Sequence, residues 1–234
     1  MTVVVPCHNE EGNVPRYADE LLPALDAAGA SYEVLIVDDG STDATAAAAA
    51  AFAAARPEAR VLRLPANRGL GAALRAGFAA ARGEWIATLD ADLTFRPAAL
   101  REMLLAARAQ GADLVAGSPY LRPGDMAGVP WLRRLPSLMI NALYRGLFGL
   151  SLTAYTPVLR LYRASRLREL ALTAEGFEIN AEIAARGLQA GWRVAEIPAA
   201  LETRMSGVSK LRRGRELARH LSLISRLLAA APGR

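Results

Sequence analysis

Residues 85–92 read Trp-Ile-Ala-Thr-Leu-Asp-Ala-Asp, a short apolar run that ends in two aspartates. Such a run is typical of a buried β-strand, and alternate side chains of an extended segment share a face. Asp90 and Asp92 can therefore point the same way, and their charges repel unless a cation lies between them. Carboxylate oxygens favour Mg²⁺ or Mn²⁺. The pattern predicts a divalent metal site at the end of this strand, against the alternative of a solvated turn with two acids.

Strand-like and helix-like segments alternate on both sides of this run. Strands are predicted at residues 2–6, 32–37, 60–64, 85–89 and 113–116, and helices at residues 14–28, 43–55, 69–82 and 97–110. This spacing predicts an α/β fold with a Rossmann-like, mostly parallel central sheet and helices on both faces. Ligands of such sheets bind beyond the carboxyl ends of the strands, where polar turns follow at residues 7–11, 38–43 and 67–71.

Two of these turns allow a structural as well as a binding interpretation. Ser41 or Thr42 can cap the next helix, with Asp43 in its first turn, whereas Asp38 and Asp39 lie where an acid can accept from a ribose or a base. The turn at residues 67–71 lacks the Lys-Ser/Thr of a phosphate-binding P-loop. Its glycines, together with Gly77, are expected to allow close packing of a helix on the sheet.

The second half of the chain has a different pattern. Residues 118–136 contain four prolines and are predicted to form a long functional loop. A helix at residues 137–150, a strand near 158–162, a helix at 178–190 and a strand at 193–197 follow. No linker is evident, so one domain is expected over residues 1–203, with a basic amphipathic segment over residues 204–234 that belongs to the same domain or lies in a membrane interface.

The composition excludes several classes of protein. The chain has 234 residues, of which 53% are hydrophobic and 22% charged, so it is neither disordered nor collagenous. Its single cysteine cannot form an internal disulfide. No window of the sequence resembles a membrane span, and Met1 leads straight into a strand-like run without a basic leader, so we expect a cytoplasmic protein.

The formal charge of +5 is concentrated at the C-terminus, where residues 203–234 carry eight basic residues and one acid. This argues against a nucleic-acid partner and for one local anionic partner. One helical stripe is expected to contain Leu217, Leu221, Ile224 and Leu228, and the opposite face Arg212, Arg215, Arg219 and Arg226. Such a helix either lies in an anionic membrane interface or packs its leucines on the core, and the pattern leaves both open.

Four ordered motifs in the first half resemble family-two glycosyltransferases of the GT-A fold. They are residues 3–10 (Val-Val-Val-Pro-Cys-His-Asn-Glu), 37–43 (Val-Asp-Asp-Gly-Ser-Thr-Asp), 67–71 (Asn-Arg-Gly-Leu-Gly) and 89–93 (Leu-Asp-Ala-Asp-Leu). In the second half, Gly117-Ser-x-Tyr120, Arg133-Arg134 with Ser137, Gly176-Phe-Glu178, Val194-x-Glu-Ile-Pro198 and Arg204-x-x-Gly207-x-Ser209-Lys210 resemble the branch of dolichyl- or polyprenyl-phosphate mannose synthases.

The resemblance implies a metal-dependent glycosyltransferase that moves mannose or glucose, with inversion, from a GDP- or UDP-sugar to a polyprenyl phosphate. It assigns nucleotide-sugar binding to Pro6, His8, Glu10, Val37, Asp39, Asp90, Ala91, Asp92, Arg204 and Lys210. It assigns Mg²⁺ or Mn²⁺ to Asp90, Asp92 and Thr94, and catalytic roles to Asp92, Arg133 and Ser137, of which the last two would meet the acceptor phosphate. Peripheral association with the cytoplasmic membrane follows, with a membrane-protein partner or a second copy of the chain as further partners.

Two positions and one segment depart from the family pattern. Thr94 stands where a glutamine is common, Pro119 replaces the arginine of a Gly-Ser-Arg-Tyr motif, and residues 154–159 read Ala-Tyr-Thr-Pro-Val-Leu instead of Asp-x-x-Ser-Gly-Phe. Two alternatives therefore stand beside the implied activity. One is transfer to a soluble or glycan acceptor, and the other is a catalytically silent protein that binds a nucleotide sugar.

Overall fold

A computed structural model describes residues 1–126, 131–148, 152–202 and 213–229 of the chain. Its strands are β1 (Thr2–Cys7), β2 (Glu33–Asp38), β3 (Ala59–Arg63), β4 (Trp85–Thr88), β5 (Leu114–Ser118), β6 (Arg160–Arg163) and β7 (Val194–Pro198). Its α-helices are α1 (Leu22–Asp26), α2 (Thr45–Ala54), α3 (Leu70–Ala80), α4 (Ala99–Gln110), α5 (Trp131–Phe148), α6 (Ala164–Arg168), α7 (Ile179–Gln189) and α8 (Arg213–Ala229).

The strands form a sheet in the order β3-β2-β1-β4-β6-β5-β7. Strands β3, β2, β1 and β4 are parallel, β6 is antiparallel to both β4 and β5, and β5 is parallel to β7. The prediction of a mostly parallel α/β sheet is confirmed. Because β6 is reversed, the carboxyl ends of the other strands meet the start of β6 at one edge, which we call the carboxyl edge.

Helices cover both faces of the sheet, as the alternating side chains of β1 illustrate. Val3 and Val5 are fully buried on one face, in a core built with α1, α2 and α4. Val4 is buried on the other face, in a core that α3, α5, α6, α7 and α8 complete. Strands covered on both sides consist of continuous apolar residues, which explains why the sequence of β1 shows no polar alternation.

Two glycines of α3 allow the close packing that the sequence predicts. A Cβ at Gly77 would overlap the side chain of Val4, and one at Gly71 would overlap the carbonyl of Ala174. The amide of Gly71 donates instead to the carbonyl of Glu175 at 2.8 Å. These contacts set α3 directly on β1 and beside the segment that leads into α7.

The helical regions near three prolines differ from the prediction. Residues 14–26 do not form one helix but a 3₁₀ turn (Val14–Arg16), a π-helical turn (Tyr17–Leu21) and α1. The proline at residue 15 and that at residue 23 each lack an N–H, so regular hydrogen bonding is interrupted there. Helix α5 starts at Trp131 and includes Pro136, so the loop predicted to reach residue 136 is too long. Burial of Ile140 and Tyr144 outweighs the local cost of that proline.

Helix α8 packs on the core through a face that differs from the predicted stripe. His220, Leu223, Ile224 and Leu227 are buried, whereas Leu217, Leu221 and Leu228 are about half exposed. The face that packs on the core is rotated by about one residue step from the predicted leucine stripe, because His220 packs against Tyr144 of α5. Of the two alternatives, packing of the stripe on the core is contradicted, since only Ile224 of its four residues is buried. Among the described residues, no helix is both long and apolar enough to cross a membrane.

Candidate active site

The two aspartates of the opening motif lie in a tight turn directly after β4. The amide of Leu93 donates to the carbonyl of Asp90 at 3.1 Å, and Leu93 has a φ of +55°, which is unusual for a branched residue. Oδ1 of Asp92 accepts from both the amide and the hydroxyl of Thr94, at 3.1 and 2.9 Å. Strain of this kind persists only where the surroundings enforce it, and it is concentrated at functional sites.

Two neighbouring residues on the helical segment after β1 donate hydrogen bonds to the backbone of this turn. The hydroxyl of Tyr17, a fully buried side chain, donates to the carbonyl of Ala91 at 2.9 Å. Nη1 of Arg16 donates to the carbonyl of Asp92 at 3.2 Å, while its other nitrogens pair with Glu20. These two roles could not be predicted from the sequence, because Arg16 and Tyr17 lie in a stretch whose pattern indicates only a helix.

The donor chemistry of this turn suits a magnesium or manganese ion. Asp90 and Asp92 are both partly exposed and supply hard carboxylate oxygens. Within the described residues, no group of three or more His, Cys, Asp or Glu side chains could hold a metal by itself. Mg²⁺ is commonly bound by one or two carboxylates with water and substrate phosphates, so a two-carboxylate site fits a cation that arrives with a diphosphate. The hydroxyl of Thr94, a predicted ligand, is directed to Asp92.

The turns after β1 and β2 are bound tightly to each other. Nδ1 of His8 lies 3.0 Å from the carbonyl oxygen of Asp39. Asn9, whose φ is +54°, receives the amide of Thr42 on its side-chain oxygen at 2.8 Å and donates its own amide to Ser41 at 2.9 Å. The predicted nucleoside-binding residues on these two turns are therefore fixed relative to one another before any ligand binds.

Glu10 is part of the same pair of turns. Its amide donates to the hydroxyl of Thr45 at 2.7 Å, and its carboxylate accepts from the side-chain amide of Asn13 at 2.6 Å. The prediction that Ser41 or Thr42 caps the next helix is wrong, because α2 begins later, at Thr45, with Ala44 at the capping position. The carboxylate of Asp43 accepts from the amide of Thr45 at 2.9 Å.

The adjacent aspartates Asp38 and Asp39 have separate partners. Oδ1 of Asp38 accepts from the amide of Ser41 at 2.9 Å, and Oδ2 lies 3.3 Å from Nε of Arg63. The two carboxylate oxygens of Asp39 accept from the amides of Arg68 and Gly69, each at 2.8 Å. Asp39 thus fixes the loop that follows β3 at the carboxyl edge, in addition to the nucleoside role predicted for it.

The remaining residues predicted to bind the nucleotide sugar or the acceptor differ in burial and in whether the structure describes them. The side chain of Val37 is fully buried in the core, while Pro6 is partly exposed at the end of β1. Arg133 lies within α5, in a part of the helix whose side chains are not described. Arg204 and Lys210 lie outside the described residues.

A second group of polar side chains lies at the carboxyl edge, at or beyond the last residue of β5 and before the first residue of β6. The hydroxyl of Tyr120 donates to Oγ of Ser137 at 3.0 Å, and Oγ of Ser137 lies 3.0 Å from Oγ1 of Thr156. Ser118 at the end of β5 lies 2.6 Å from the hydroxyl of Thr153. Ser137, the predicted acceptor residue, therefore belongs to a chain of three hydroxyls on the other side of Asp90.

Glu196 of β7 connects to this group, a role that the sequence motif around it did not reveal. Its carboxylate accepts from the amides of Thr153 and Ala154, at 2.9 and 3.2 Å, and from the hydroxyl of Thr153 at 3.0 Å. The segment that departs from the family pattern is thus bound to the sheet by a carboxylate from a neighbouring strand.

The carboxyl edge thus carries paired carboxylates, with the turns after β1 and β2 on one side and a group of hydroxyls on the other, an arrangement that suits a phosphate-bearing ligand with its cation. Residues 2–171 match the family described as glycosyl transferase family 2. The chain therefore belongs to glycosyl transferase family 2 and is a glycosyltransferase, as the sequence predicts.

Relatives in this family include enzymes named for lipid-linked acceptors. The polyprenol monophosphomannose synthase of Mycolicibacterium smegmatis is 34% identical over 221 residues, which cover 89% of this chain and 80% of that protein. The undecaprenyl-phosphate 4-deoxy-4-formamido-L-arabinose transferase of Shewanella sediminis is 38% identical over 165 residues, which cover 70% of this chain and 48% of the relative. The chain thus spans about half the length of the second relative.

A solved structure supports the fold. Glucosyl-3-phosphoglycerate synthase from Mycobacterium tuberculosis, crystallised with Mn²⁺, uridine diphosphate and phosphoglyceric acid, superposes with a TM-score of 0.67. The match covers 99% of this chain and 79% of that chain, at 24% sequence identity. The GT-A fold predicted from the motifs is confirmed.

Proposed function

We propose that this glycosyltransferase moves a hexose, mannose or glucose, from a GDP- or UDP-linked donor to a polyprenyl phosphate, with inversion at the sugar. The observation that carries the proposal is the position of Asp90 and Asp92, between two preorganised groups of polar side chains at the carboxyl edge. The mannose synthase and the arabinose transferase named above support a lipid phosphate as acceptor.

The donor side would bind the nucleotide through the turns after β1 and β2. His8 and Asp39 are already positioned by the hydrogen bond between the His8 ring and the Asp39 backbone, and Pro6, Glu10 and Val37 lie on the same strands and turns. Preorganisation lowers the conformational entropy that binding must otherwise remove. Arg204 and Lys210 are proposed to contact the diphosphate from the C-terminal segment.

Asp90, Asp92 and the backbone of Ala91 would hold the donor diphosphate together with Mg²⁺ or Mn²⁺. The bound cation would neutralise charge on the leaving nucleoside diphosphate. The chain contributes the fixed geometry, because Tyr17, Arg16 and Thr94 each bind one group of this turn. Rigid placement of charge before reaction is the main source of such electrostatic stabilisation.

The acceptor side would present Arg133 and the group of hydroxyls that contains Ser137 to the lipid phosphate. A phosphate monoester is already an anion, so its attack on the sugar needs no strong general base. The role of the protein is then to orient the two substrates, which alone can lower a barrier by several kcal/mol. Attack from the side opposite the diphosphate would invert the configuration at the sugar carbon.

Exposed apolar side chains support action at a membrane face. They are Leu135, Leu138 and Met139 of α5 and Leu217, Leu221 and Leu228 of α8. The two helices are joined at Tyr144 and His220. We refer to these six side chains as the α5/α8 apolar surface. Together with the basic residues of segment 204–234, it would place the catalytic domain, residues 1–203, on the cytoplasmic membrane.

Labelled nucleotide sugars test the proposal directly. Purified protein with Mn²⁺ and a panel of GDP- and UDP-hexoses is expected to yield a labelled prenyl-phosphate sugar, and Asp92→Asn is expected to lose at least 100-fold in turnover because the diphosphate charge is no longer neutralised. Asp26→Asn, at an exposed aspartate of α1, is the matched control. Wild-type behaviour of Asp92→Asn would refute the proposed role of the carboxylates.

The same assay separates the two alternatives. Labelled product formed only with soluble sugars or glycans would assign a different acceptor. Donor binding by calorimetry without any product would identify a nucleotide-sugar-binding protein that does not catalyse transfer.

A further inference from the structure

Residues 153–158, which we call the acceptor-side segment, contain no helix or strand, and side chains from surrounding elements bind their backbone. The amides of Thr153 and Ala154 donate to Glu196, and the amide of Tyr155 donates to Oδ1 of Asn141 at 3.0 Å. Its carbonyls accept from the side chains of Arg160 and Asn180. A loop held in this way keeps a single conformation without belonging to a regular element.

Buried polar side chains bind the carbonyls of this segment. Arg160 donates to the carbonyls of Ala154 and Pro157, at 2.8 and 3.2 Å. Nδ2 of Asn180 donates to the carbonyl of Thr156 at 3.2 Å. Arg160 and Asn180 are both fully buried, so the segment rests on charged and amide groups rather than on apolar side chains.

This polar support is costly for the fold. Burial lowers the pKa of the Arg160 guanidinium. Among the described residues, Nη1 of Arg160, Nδ2 of Asn141 and Oδ1 of Asn180 have no hydrogen-bond partner although they are buried. Apolar residues of similar shape would avoid that cost. Such a support is expected where the exact path of a backbone matters more than stability.

The path of the segment leads past the strand that precedes Asp90 and Asp92. Thr88, two residues before Asp90, donates its hydroxyl to the carbonyl of Val158. The acceptor-side segment therefore passes the carboxyl end of β4. Within it, Thr156 is partly exposed and lies in the chain of hydroxyls with Ser137 and Tyr120, which are also partly exposed.

The directions of the hydrogen bonds among the hydroxyls of Tyr120, Ser137 and Thr156 determine which kind of ligand atom the group can bind. Tyr120 donates to Ser137, and either hydroxyl of the Ser137–Thr156 pair can be the donor. We take the arrangement in which Ser137 donates to Thr156, because it aligns the two bonds in one direction. The hydroxyl proton of Thr156 is then left for an acceptor outside the protein. Hydrogen bonds that point in one direction strengthen one another, and a lone strong donor suits an anionic oxygen.

We propose that Thr156, positioned by Arg160 and Asn180, binds a phosphate oxygen of the acceptor as the terminal donor of the Tyr120–Ser137–Thr156 chain. The inference deepens the proposed function and rests on it for the identity of the acceptor. Arg160 is a positioning residue here, because it acts on the acceptor only through the backbone of the segment.

Thr156→Val tests this directly, since it removes the hydroxyl and keeps the shape of the side chain. With Mn²⁺ and donor, we expect the KM for a prenyl phosphate to rise about 10-fold, as for loss of one hydrogen bond to a charged group. The affinity for the nucleoside diphosphate should stay unchanged, and Thr156→Ser should restore the KM. Tyr120→Phe should raise the same KM less, while Tyr32→Phe, at the opposite end of the sheet, should leave it unchanged.

Other results would overturn the inference. A wild-type KM in Thr156→Val, equal impairment of Thr156→Val and Thr156→Ser, or a parallel loss of nucleotide affinity would each do so. Calorimetry can separate the binding role of Thr156 from the proposed function. It measures the binding of citronellyl phosphate to protein that already holds Mn²⁺ and nucleoside diphosphate. Binding that Thr156→Val weakens, without turnover in wild type, would refute transfer to prenyl phosphates and keep the binding role of Thr156. Absence of binding in wild type would refute both.

Discussion

The hydroxyl of Tyr17 donates to the carbonyl oxygen of Ala91 across 2.9 Å, so a side chain from the first helical segment fixes the residue between the two candidate metal ligands. Tyr17 is fully buried, stacks edge-on against Phe52 at 5.9 Å and lies 3.5 Å from Sγ of Cys7. Burial raises the pKa of this phenol well above its ordinary value, so it remains a donor at any physiological pH. The geometry of the turn at residues 90–94 thus depends on packing beneath the sheet edge.

Tyr17→Phe is expected to weaken both the fold and the site. Leaving the carbonyl of Ala91 without its buried donor costs about 1–3 kcal/mol, which a shifted urea midpoint would report. Turnover should fall several-fold with a higher requirement for Mn²⁺, because the carboxylates lose their fixed spacing. Tyr32→Phe serves as control. Unchanged Mn²⁺ dependence in Tyr17→Phe would show that the hydrogen bond from Tyr17 to Ala91 does not matter for the site.

Gly77→Ala tests the close packing of α3 on β1. The added methyl group meets the side chain of Val4 at less than contact distance, and overpacking of this kind costs about 1–3 kcal/mol. Gly146→Ala is the matched control, because Gly146 lies in α5 with nothing within 4 Å of the added Cβ. That control should stabilise the helix by about 0.5–1 kcal/mol. Equal thermal midpoints for the two variants would contradict the packing argument.

Most of the first half of the fold, apart from the helical region at residues 14–26, was predictable because its signals are local. Apolar runs such as residues 85–89 define strands by themselves, and the acids after them must lie together once the sheet is parallel. The close approach at Gly77 follows from the same local pattern. These features need no knowledge of distant contacts.

The second half was less predictable because distant contacts decide it. Pro136 reads as a helix breaker, yet α5 continues through it since Tyr144 packs against Tyr155, with ring centroids 5.3 Å apart, and against His220. The support of the acceptor-side segment by Asn180, which binds the carbonyl of Thr156 from 24 residues further along the chain, brings together groups with no shared local pattern. The motif at residues 194–198 draws attention to Glu196, but it does not indicate which backbone amides the carboxylate binds.

Leu221→Gln tests the α5/α8 apolar surface. Leu221 is 51% exposed, and the loss of its contact with lipid should lower co-flotation of the protein with vesicles that contain anionic lipid. Leu105→Gln is the matched control, since Leu105 is 52% exposed on α4, which covers the other face of the sheet. Raising the salt concentration should weaken flotation further by screening the basic segment. Equal flotation of both variants and wild type would argue against this surface as the membrane contact.

His220 predicts how stability depends on pH. The imidazole is buried between α8 and α5, with Nδ1 3.1 Å from the hydroxyl of Tyr144. Burial lowers its pKa below 6.5, and the charge of Glu178, at the start of α7, opposes this effect without cancelling it. The unfolded chain therefore takes up a proton before the folded chain does, so the contribution of His220 to stability is lost as the pH falls below about 6.5.

The free energy of unfolding should accordingly decrease more between pH 7 and pH 5 in wild type than in His220→Phe. The slope from one such group cannot exceed about 1.4 kcal/mol per pH unit, and carboxylates that titrate in the same range contribute equally to both proteins. Urea unfolding at a series of pH values measures the difference between them. Parallel curves would mean that His220 is not held neutral by the packing of α8 on α5, and α8 would then be attached less firmly to the core than the contacts with Leu223 and Leu227 imply.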